Sequence, residues 1–413
     1  MSADRANWAG NFVYAAKQIV EPATLAEAQL LVARSHRIRP LGTLHSFNSL
    51  PDTAGILVHL GALPAEPVID IRARTVTIGG AVRYGILAQH LEQNGWALHN
   101  LGSLPHINIA GAISTGTHGS GNTLGSLSSS VRALQFIGPS GDLVDVKAGD
   151  PGFDGMVVGL GAFGPITRVT LAIQPSYRVR QDAYVGLPWD RVLNDFDEVM
   201  GMAYSVSLLS KWTSPTVQHL WVKSLLSEPA VNAEEFGATR SAVAAADNMN
   251  PFGVEGAWCE RLPHFRLDRV PSLGAEIQSE YLIDRDTIGE AVGSLREIGH
   301  LIDPVLEASE LRTIARDDLW LSPAYGRDSA AIHFTFRRDP ESVAAILPMI
   351  EARLLPLGAR PHWGKLFDAT ASVLKPRYPR LDDWLALVAA LDPDAKFSNA
   401  FIERHVAGTA SSG

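Results

Sequence analysis

The chain has a single cysteine, no basic run and no long apolar run, and each of these shortages argues against a class of protein. Its 413 residues include one cysteine, Cys259, so no internal disulfide can form, which fits a reducing compartment or indifference to redox state. A net charge of −9 is spread along the chain without a basic run, which argues against a nucleic-acid surface. No stretch reaches the roughly 18 uncharged apolar residues of a membrane span, and the first residues lack the apolar core of a signal peptide. We therefore expect a cytoplasmic protein without a membrane or nucleic-acid partner.

Length and hydrophobic content predict more than one packed unit. A chain of 413 residues, 46% of them hydrophobic, is longer than the chains that usually fold around a single hydrophobic core. Short strands alternate with helices up to Ser176, and Gln174-Pro175-Ser176 is typical of a boundary. Beyond it, longer helical patterns and strand-like runs predict an antiparallel sheet carrying helices, an α+β arrangement. A last segment begins at about Phe367.

Periodicity and turn residues predict individual elements. The capping-box pattern of Thr24 and Glu27 begins a helix. Apolar residues on one face predict a second helix over Tyr84–Asn94, and a third is expected over Leu381–Leu391. The turn sequence Pro139–Asp142 predicts a hairpin. The remaining expectations are a helix over 189–204 and strands over 38–41, 56–60, 75–78, 131–137, 143–146, 166–173, 218–222, 275–282, 310–314 and 331–336.

The most informative stretch is the glycine-rich segment Leu101–Gly121, LGSLPHINIAGAISTGTHGSG, which holds five glycines. Glycine permits close approach and positive φ, so backbone N–H groups can meet a diphosphate without side chains in the way. The hydroxyls of Ser114, Thr115 and Thr117 are compatible with ordinary loop solvation, but their density beside glycine favours phosphate. The segment therefore predicts a nucleotide site.

A second glycine motif lacks the context of a dinucleotide-binding site. Gly159–Gly164 satisfies G-x-G-x-x-G, which marks a dinucleotide site only where it follows a strand and opens a helix. The residues after it alternate like a strand. Asp182, the acidic residue at about the right distance of roughly 20 positions, lies beyond the predicted boundary. We therefore do not expect a nicotinamide site here.

Polar residues two apart mark two predicted strands of the second unit. Glu310 and Arg312 share one strand face, and His333 and Thr335 share another. One interpretation is a structural ion pair between Glu310 and Arg312 with His333 as a hydrogen-bonded neighbour. The other is a binding site. Periodicity alone does not decide between them.

Three islands of sequence together resemble a known family. They are Leu41–Asn48 (LGTLHSFN), the glycine-rich segment, and Pro361–Lys365 (PHWGK). They resemble FAD-dependent oxidases of the vanillyl-alcohol oxidase type, most closely the bacterial alditol (xylitol) oxidases and more loosely the aldonolactone oxidases. The likeness covers nearly the whole chain, from Asn7 to Phe401. One departure is Leu44, which stands in a Gly-Thr-Leu sequence where relatives often carry Gly-Ser-Gly, and a leucine restricts φ.

The resemblance implies a fold and a cofactor. It implies a two-part FAD-binding domain, residues 1–176 with 367–413 returning to it, and an α+β substrate (cap) domain, 177–366, carrying an antiparallel sheet. His45 matches the histidine that bonds covalently to the 8α-methyl of FAD in the family. An isolated histidine would more often be a packed or capping residue. The other positions that the resemblance assigns to FAD are Pro40, Leu41, Gly42, Thr43, Leu44, Ser46, Ser103, Asn108, Gly111, Ala112, Ile113, Ser114, Thr115 and Ile166.

The resemblance also implies a substrate site and a reaction. Ser103, Glu310, Arg312 and Thr335 match substrate-binding positions, and His333 and Lys365 match catalytic ones. Either of the last two is a candidate for the base that takes the hydroxyl proton, with the other stabilising developing charge.

The implied activity is oxidation of the terminal CH2OH of linear polyols such as xylitol or sorbitol to the aldehyde, with O2 reduced to H2O2. The expected protein is a monomer with FAD and no metal. The alternatives are an aldonolactone oxidase or dehydrogenase and a flavoprotein that binds carbohydrate without turnover.

Overall fold

The computed structural model describes residues 5–229, 231–270 and 276–408. The chain begins with a three-stranded parallel sheet in the order Gln18–Val20, Ile56–Val58, Ile38–Pro40. A helix over Leu25–Arg34 packs beside it. The Thr24 hydroxyl accepts from the Glu27 N–H at 3.2 Å, and the Glu27 carboxylate accepts from the Ala23 N–H at 2.9 Å. Both bonds satisfy N–H groups at the helix start, so the predicted helix start is confirmed.

The rest of the first unit is a five-stranded antiparallel sheet. The predicted hairpin is confirmed, with its first strand at Val131–Ile137 as expected. The predicted second helix forms over Tyr84–Gln93. The G-x-G-x-x-G stretch is followed by the strand Ile166–Ala172, as expected for a motif without dinucleotide context. In sheet order the strands are Val68–Asp70, Thr75–Gly79, Ile166–Ala172, Val131–Ile137 and Leu143–Lys147.

The second unit is built on a nine-stranded antiparallel sheet, which confirms the predicted architecture. Its middle consists of Leu306–Ile314 and Ser329–Arg337, here called the central strands, flanked by Glu276–Asp284. Ala275, the expected first residue of that flanking strand, lies outside the described residues. In sheet order the strands are Thr239–Arg240, Arg178–Val185, His219–Leu225, Ser205–Ser210, Leu306–Ile314, Ser329–Arg337, Glu276–Asp284 and Arg360–Pro361, with Val254–Ala257 also paired to Arg178–Val185.

One predicted helix of this unit was wrong. The expected helix over 189–204 is two short helices, Trp189–Asn194 and Phe196–Gly201. Asp195 between them has φ −132° and ψ 38°, and its carboxylate lies 2.6 Å from the Arg191 guanidinium. Aspartate competes with helical backbone conformations through its short polar side chain, which periodicity of apolar residues does not register. Two short strand pairs complete the sheets, Trp96–Ala97 with Gln174–Pro175 and Leu187–Pro188 with Thr216–Val217.

The last segment packs on the first unit. Phe397 is fully buried in a cluster with Ile38 and Val58. The Asn399 side chain donates to the carbonyls of Leu50 and Asp52, at 2.9 and 2.8 Å. The predicted helix Leu381–Leu391 is present with the expected bounds. The remaining helices are Ile109–Ser114, Phe153–Val157, Trp258–Arg261, Ile288–Glu297, Gly299–Ile302, Pro340–Leu354, Ala371–Leu374 and Ala400–Ile402. Among the residues described, none of the helices combines the length and apolarity needed to cross a bilayer.

Candidate functional site

A cavity of about 360 Å³ lies between the glycine-rich segment and the central strands. Of the fifteen positions assigned to FAD by resemblance, fourteen line it. The exception is Ile113, whose side chain is buried in the hydrophobic core. All six residues expected to bind or convert substrate line the same cavity. The structure therefore brings together two sets of residues that lie far apart in sequence. Their roles stay predictions at this point.

His45 lies at the cavity wall with its ring held by stacking. The Trp8 indole lies against it, with ring centroids 5.2 Å apart and planes at 19°. Among the described residues, neither ring nitrogen has a hydrogen-bond partner of ordinary geometry. Burial lowers the pKa of His45 to about 4, and the nearby Thr43 backbone offsets this only in part. The ring is therefore neutral at physiological pH, with a nucleophilic nitrogen and two polar atoms lacking partners.

Leu44, which stands where relatives often carry glycine, adopts a backbone conformation typical of glycine. Leu44 has φ +65°, in the left-handed region that a leucine rarely adopts. Its carbonyl accepts from the backbone N–H of Trp8 at 2.9 Å, which helps hold that conformation. A Cβ at Gly42 or Gly111 would lie within 2.6 Å of the Asn108 side-chain oxygen. Glycine at both positions therefore lets the loop and the glycine-rich segment approach each other closely.

The polar residues of the central strands share a single face. Glu310 and His333 are direct cross-strand partners, so the two faces expected from sequence are one. The Arg312 guanidinium donates through Nε to Glu310 Oε1 at 2.6 Å and through Nη2 to Glu310 Oε2, and the same Nη2 donates to the Ser103 hydroxyl at 2.7 Å. Burial raises the pKa of Glu310, but Arg312 overcomes this and the pKa lies below its ordinary value. The ion pair exists, and it also forms part of the cavity wall.

Lys365 and His333 meet beside this pair. Lys365 Nζ lies 2.9 Å from His333 Nδ1 and 2.8 Å from the Gln278 side-chain oxygen, and 3.2 Å from Glu280 Oε2. His333 Nε2 lies 3.1 Å from the Thr335 hydroxyl. Burial lowers the pKa of Lys365 although Glu280 opposes it, and burial together with Lys365 lowers the pKa of His333. The protonation of each nitrogen therefore depends on that of the other, and the two residues are here called the Lys365–His333 pair.

Sequence reasoning missed several residues of this cluster. Gln278 and Glu280 alternate on the strand beside His333 and line the cavity, and the same two-residue spacing that drew attention to Glu310 would have found them. His118 and His264 also line it. His264 Nε2 lies 3.7 Å from Glu310 Oε1. These two histidines come from loops of unrelated sequence position, so only the fold places them here.

Comparison with known proteins assigns the chain to a family. It is 42% identical to an alditol oxidase of Streptomyces sp. (strain IKD472 / FERM P-14339), over 97% of this chain and 99% of that protein. The chain belongs to the same family of FAD-dependent oxidoreductases. Residues 16–147 match the family described as FAD binding domain, and residues 273–405 match D-arabinono-1,4-lactone oxidase.

Other similar proteins are more distant. An L-gulono-1,4-lactone dehydrogenase of Mycobacterium tuberculosis is 28% identical over 98% of this chain and 99% of that protein. A cholesterol oxidase from Brevibacterium sterolicum, solved as a His121Ala mutant, shares the fold with a TM-score of 0.80 at 15% identity, covering 97% and 96% of the two chains. At that identity the likeness concerns the fold alone. It agrees with a FAD-binding domain joined to a cap with an antiparallel sheet.

The residues of the cavity fit FAD. The two His45 ring nitrogens lack partners within the described part of the chain, and the close approach at Gly42 and Gly111 exposes backbone rather than side chains. Hydroxyls of Thr43 and Ser114 line the same wall. Backbone N–H groups and hydroxyls are the donors that a diphosphate needs. These residues would hold the cofactor, with His45 at one end of the set.

Proposed function

We propose that this protein is a flavin-dependent oxidase that converts the terminal CH2OH of a linear polyol, such as xylitol or sorbitol, to the aldehyde while O2 is reduced to H2O2. One observation carries the proposal. A single cavity joins His45 to the Glu310–Arg312 pair and to Lys365 and His333. The identity to an alditol oxidase over nearly the whole chain supports the same activity.

The polar wall suits a substrate with neighbouring hydroxyls. The Glu310 carboxylate accepts hydrogen bonds, and the Arg312 guanidinium and Ser103 hydroxyl donate them from fixed positions. These groups are buried, so a simple alkanol would leave them without partners. We therefore expect strong preference for polyols over alkanols of the same length.

Lys365 and His333 would accept the substrate's hydroxyl proton. When bound, the flavin supplies hydride acceptance and transfer of the electrons to O2. An ammonium on Lys365 donates to His333 Nδ1, which leaves the proton of that ring on Nε2, facing Thr335. In that state neither residue has a free lone pair. The pair must therefore lose one proton before it can accept the substrate's, and its lowered pKa values favour that loss.

His45 is the proposed covalent anchor of FAD. Its ring is neutral because burial lowers its pKa to about 4, and the stacked Trp8 fixes its plane. Both features favour a bond from a ring nitrogen to the flavin. Acid precipitation tests the proposal, because covalently bound flavin stays with the polypeptide and free flavin stays in the supernatant.

The decisive experiment is an assay of the purified, flavin-loaded protein over a panel of polyols and aldonolactones. We expect H2O2 to form with xylitol or sorbitol, and the flavin absorption band to bleach when xylitol is added without O2. Peroxide from lactones alone would support the alternative suggested by the lactone oxidase match over residues 273–405. A band that persists with every compound would indicate binding without turnover.

We propose a cytoplasmic monomer. Cys259 is partly buried, and burial raises the pKa of its thiol to about 12, so it is a poor nucleophile and a weak candidate for an intermolecular disulfide. Size-exclusion chromatography with light scattering, with and without reductant, tests the oligomeric state.

A further inference from the structure

His118 belongs to the glycine-rich segment but has no part in the proposed phosphate site. Its Nδ1 lies 2.8 Å from the Gly119 carbonyl oxygen, and its Nε2 lies 3.4 Å from Glu280 Oε1. A carbonyl oxygen only accepts, so Nδ1 carries a proton. With no proton on Nε2, the lone pair of that nitrogen would face a carboxylate oxygen. Both atoms are buried, and neither has a hydrogen-bond partner of ordinary geometry among the described residues, although only 3.4 Å separates them. A proton on Nε2 would give both atoms a partner.

The other oxygen of Glu280 faces the catalytic pair. Glu280 Oε2 lies 3.2 Å from Lys365 Nζ and 3.6 Å from His333 Nδ1. Burial raises the pKa of Glu280, but Lys365, His118 and His333 overcome this and the pKa lies well below its ordinary value. One carboxylate therefore connects the histidine of the glycine-rich segment to the two residues that exchange protons with substrate.

Other charged and titratable groups face this carboxylate. Arg312 and Glu310 lie on Leu306–Ile314, the central strand beyond that of His333. Burial lowers the pKa of Arg312, but Glu310 and, to a smaller extent, Glu280 raise it above its ordinary value. His362 follows the short edge strand and donates its backbone N–H to the Glu280 carbonyl at 2.9 Å. Burial lowers the pKa of His362 to about 3, so its side chain is neutral. The ion-pair contacts of the Glu280 carboxylate in the described structure are thus Lys365 and His333 at one oxygen and His118 at the other.

We propose that Glu280 and His118 are positioning residues that set the protonation state of the Lys365–His333 pair through one proton shared between His118 Nε2 and Glu280 Oε1. This rests on the proposed function. The shared proton neutralises part of the carboxylate's charge. It thereby limits how strongly Glu280 holds Lys365 as an ammonium, and so keeps the pair able to give up a proton near neutral pH.

Two substitutions are expected to move the acid limb of the pH profile in opposite directions. In Glu280→Gln the ammonium of Lys365 loses its counter-charge, so Lys365 gives up its proton more readily and the acid limb of kcat/KM moves about one pH unit or more lower. In His118→Gln the full charge of Glu280 acts on Lys365, and the limb moves to higher pH. A role in packing alone would lower activity without opposite shifts.

The kinetic test uses xylitol oxidation by flavin-loaded protein from pH 5 to 9, with flavin content measured for each variant. Controls are Glu307→Gln and His300→Gln, which change an exposed carboxylate and an exposed imidazole. We expect both controls to keep the wild-type profile. Shifts in the same direction for Glu280→Gln and His118→Gln, or no shift in either, would overturn the proposal.

A second measurement does not depend on activity. In 15N-histidine-labelled wild-type holoprotein at neutral pH, His118 should show two protonated ring nitrogens, its signals identified by their loss in His118→Gln. An unprotonated Nε2 contradicts the inference, whatever the kinetics. Failure of the wild-type protein to oxidise any polyol would instead defeat the proposed function while leaving this measurement interpretable.

Discussion

The imidazole of His45 lies almost parallel to the indole of Trp8, with the ring centroids 5.2 Å apart. Stacking fixes the ring plane while leaving the ring nitrogens free of other partners in the described structure. We predict that His45→Ala binds flavin without a covalent bond. After acid precipitation, the colour of this variant should appear in the supernatant, whereas the wild-type colour should stay in the pellet. His36→Ala, at an exposed histidine, should behave as wild type. Colour in the wild-type supernatant would refute the covalent bond.

Gly80 and Gly293 make a matched pair for stability. A Cβ at Gly80 would lie 2.5 Å from the Ile166 carbonyl oxygen, next to the cavity, and backbone cannot move aside as a side chain can. Gly80→Ala should therefore lower the free energy of unfolding by about 2 kcal/mol and weaken flavin retention.

The control, Gly293→Ala, should change the free energy of unfolding in the opposite direction. Around a Cβ at Gly293, in the helix Ile288–Glu297, no described atom outside that helix's backbone and the adjacent residues lies within 4 Å. Gly293→Ala should raise the free energy of unfolding by about 0.5–1 kcal/mol, because alanine favours the helix. Urea unfolding measures both, and an unchanged midpoint for Gly80→Ala would contradict the contact.

Local sequence predicted local structure well, and long-range register poorly. Leu381–Leu391 and the hairpin strand Val131–Ile137 depend on nearby periodicity and turn residues, and both formed as expected. The break at Asp195 was missed, because apolar spacing continues through it while the backbone does not. A single polar residue such as Asp195 can interrupt the helical backbone without interrupting the spacing of apolar residues.

In the candidate site, too, local features could be predicted and long-range contacts could not. Glu310 and His333 were each found from two-residue spacing, but only strand register shows that they are cross-strand neighbours on one face. Sequence distance conceals His118, which reaches Glu280 across 162 positions through the fold. Chemistry-bearing residues were therefore predictable where a strand or motif displays them. His118 and His264, whose partners only the fold brings near, were not.

Lys365 provides the most direct test of the proposed proton-accepting role of the Lys365–His333 pair. Lys365→Ala removes the ammonium that contacts His333 and Glu280, and should lower kcat by about 10²–10⁴-fold. The variant should still hold flavin, because His45 and the glycine-rich segment are unchanged. Lys375→Ala, at an exposed lysine paired with Asp382, should keep full activity. Rates of flavin bleaching by xylitol without O2 give the measurement, and near-normal bleaching in Lys365→Ala would exclude the role.

Arg312 tests whether the buried ion pair also binds substrate. Arg312→Lys keeps the charge but cannot donate in parallel to both Glu310 oxygens and to Ser103. A charge-assisted hydrogen bond contributes about 1.5–3 kcal/mol, so KM for xylitol should rise by roughly tenfold or more, with kcat changed less. Arg337→Lys, at an exposed arginine, is the control. A lower melting temperature with unchanged KM would indicate a structural pair alone.

His362 should make stability depend on pH in a defined window. Its Nδ1 accepts from the Gly364 N–H at 3.1 Å, and burial lowers the pKa of the ring to about 3. The folded pKa lies below the ordinary value, so the unfolded chain binds the extra proton first as pH falls. Stability is therefore complete above about pH 6.5 and falls toward about pH 3, by up to about 1.4 kcal/mol per pH unit for this group.

Between pH 6.5 and 4.5, the loss of stability caused by His362 can be measured apart from the loss caused by the buried carboxylates. Glu280 and Glu310 have lowered pKa values, so their contribution is present above about pH 4.5 and is lost only at lower pH. Between pH 6.5 and 4.5, wild-type unfolding free energy should fall more steeply than that of His362→Gln, which has no ring to protonate. Urea unfolding at four pH values measures the two slopes. Equal slopes would mean that the folded protein protonates His362 as readily as the unfolded chain does, and the lowered pKa assigned to the ring would have to be abandoned.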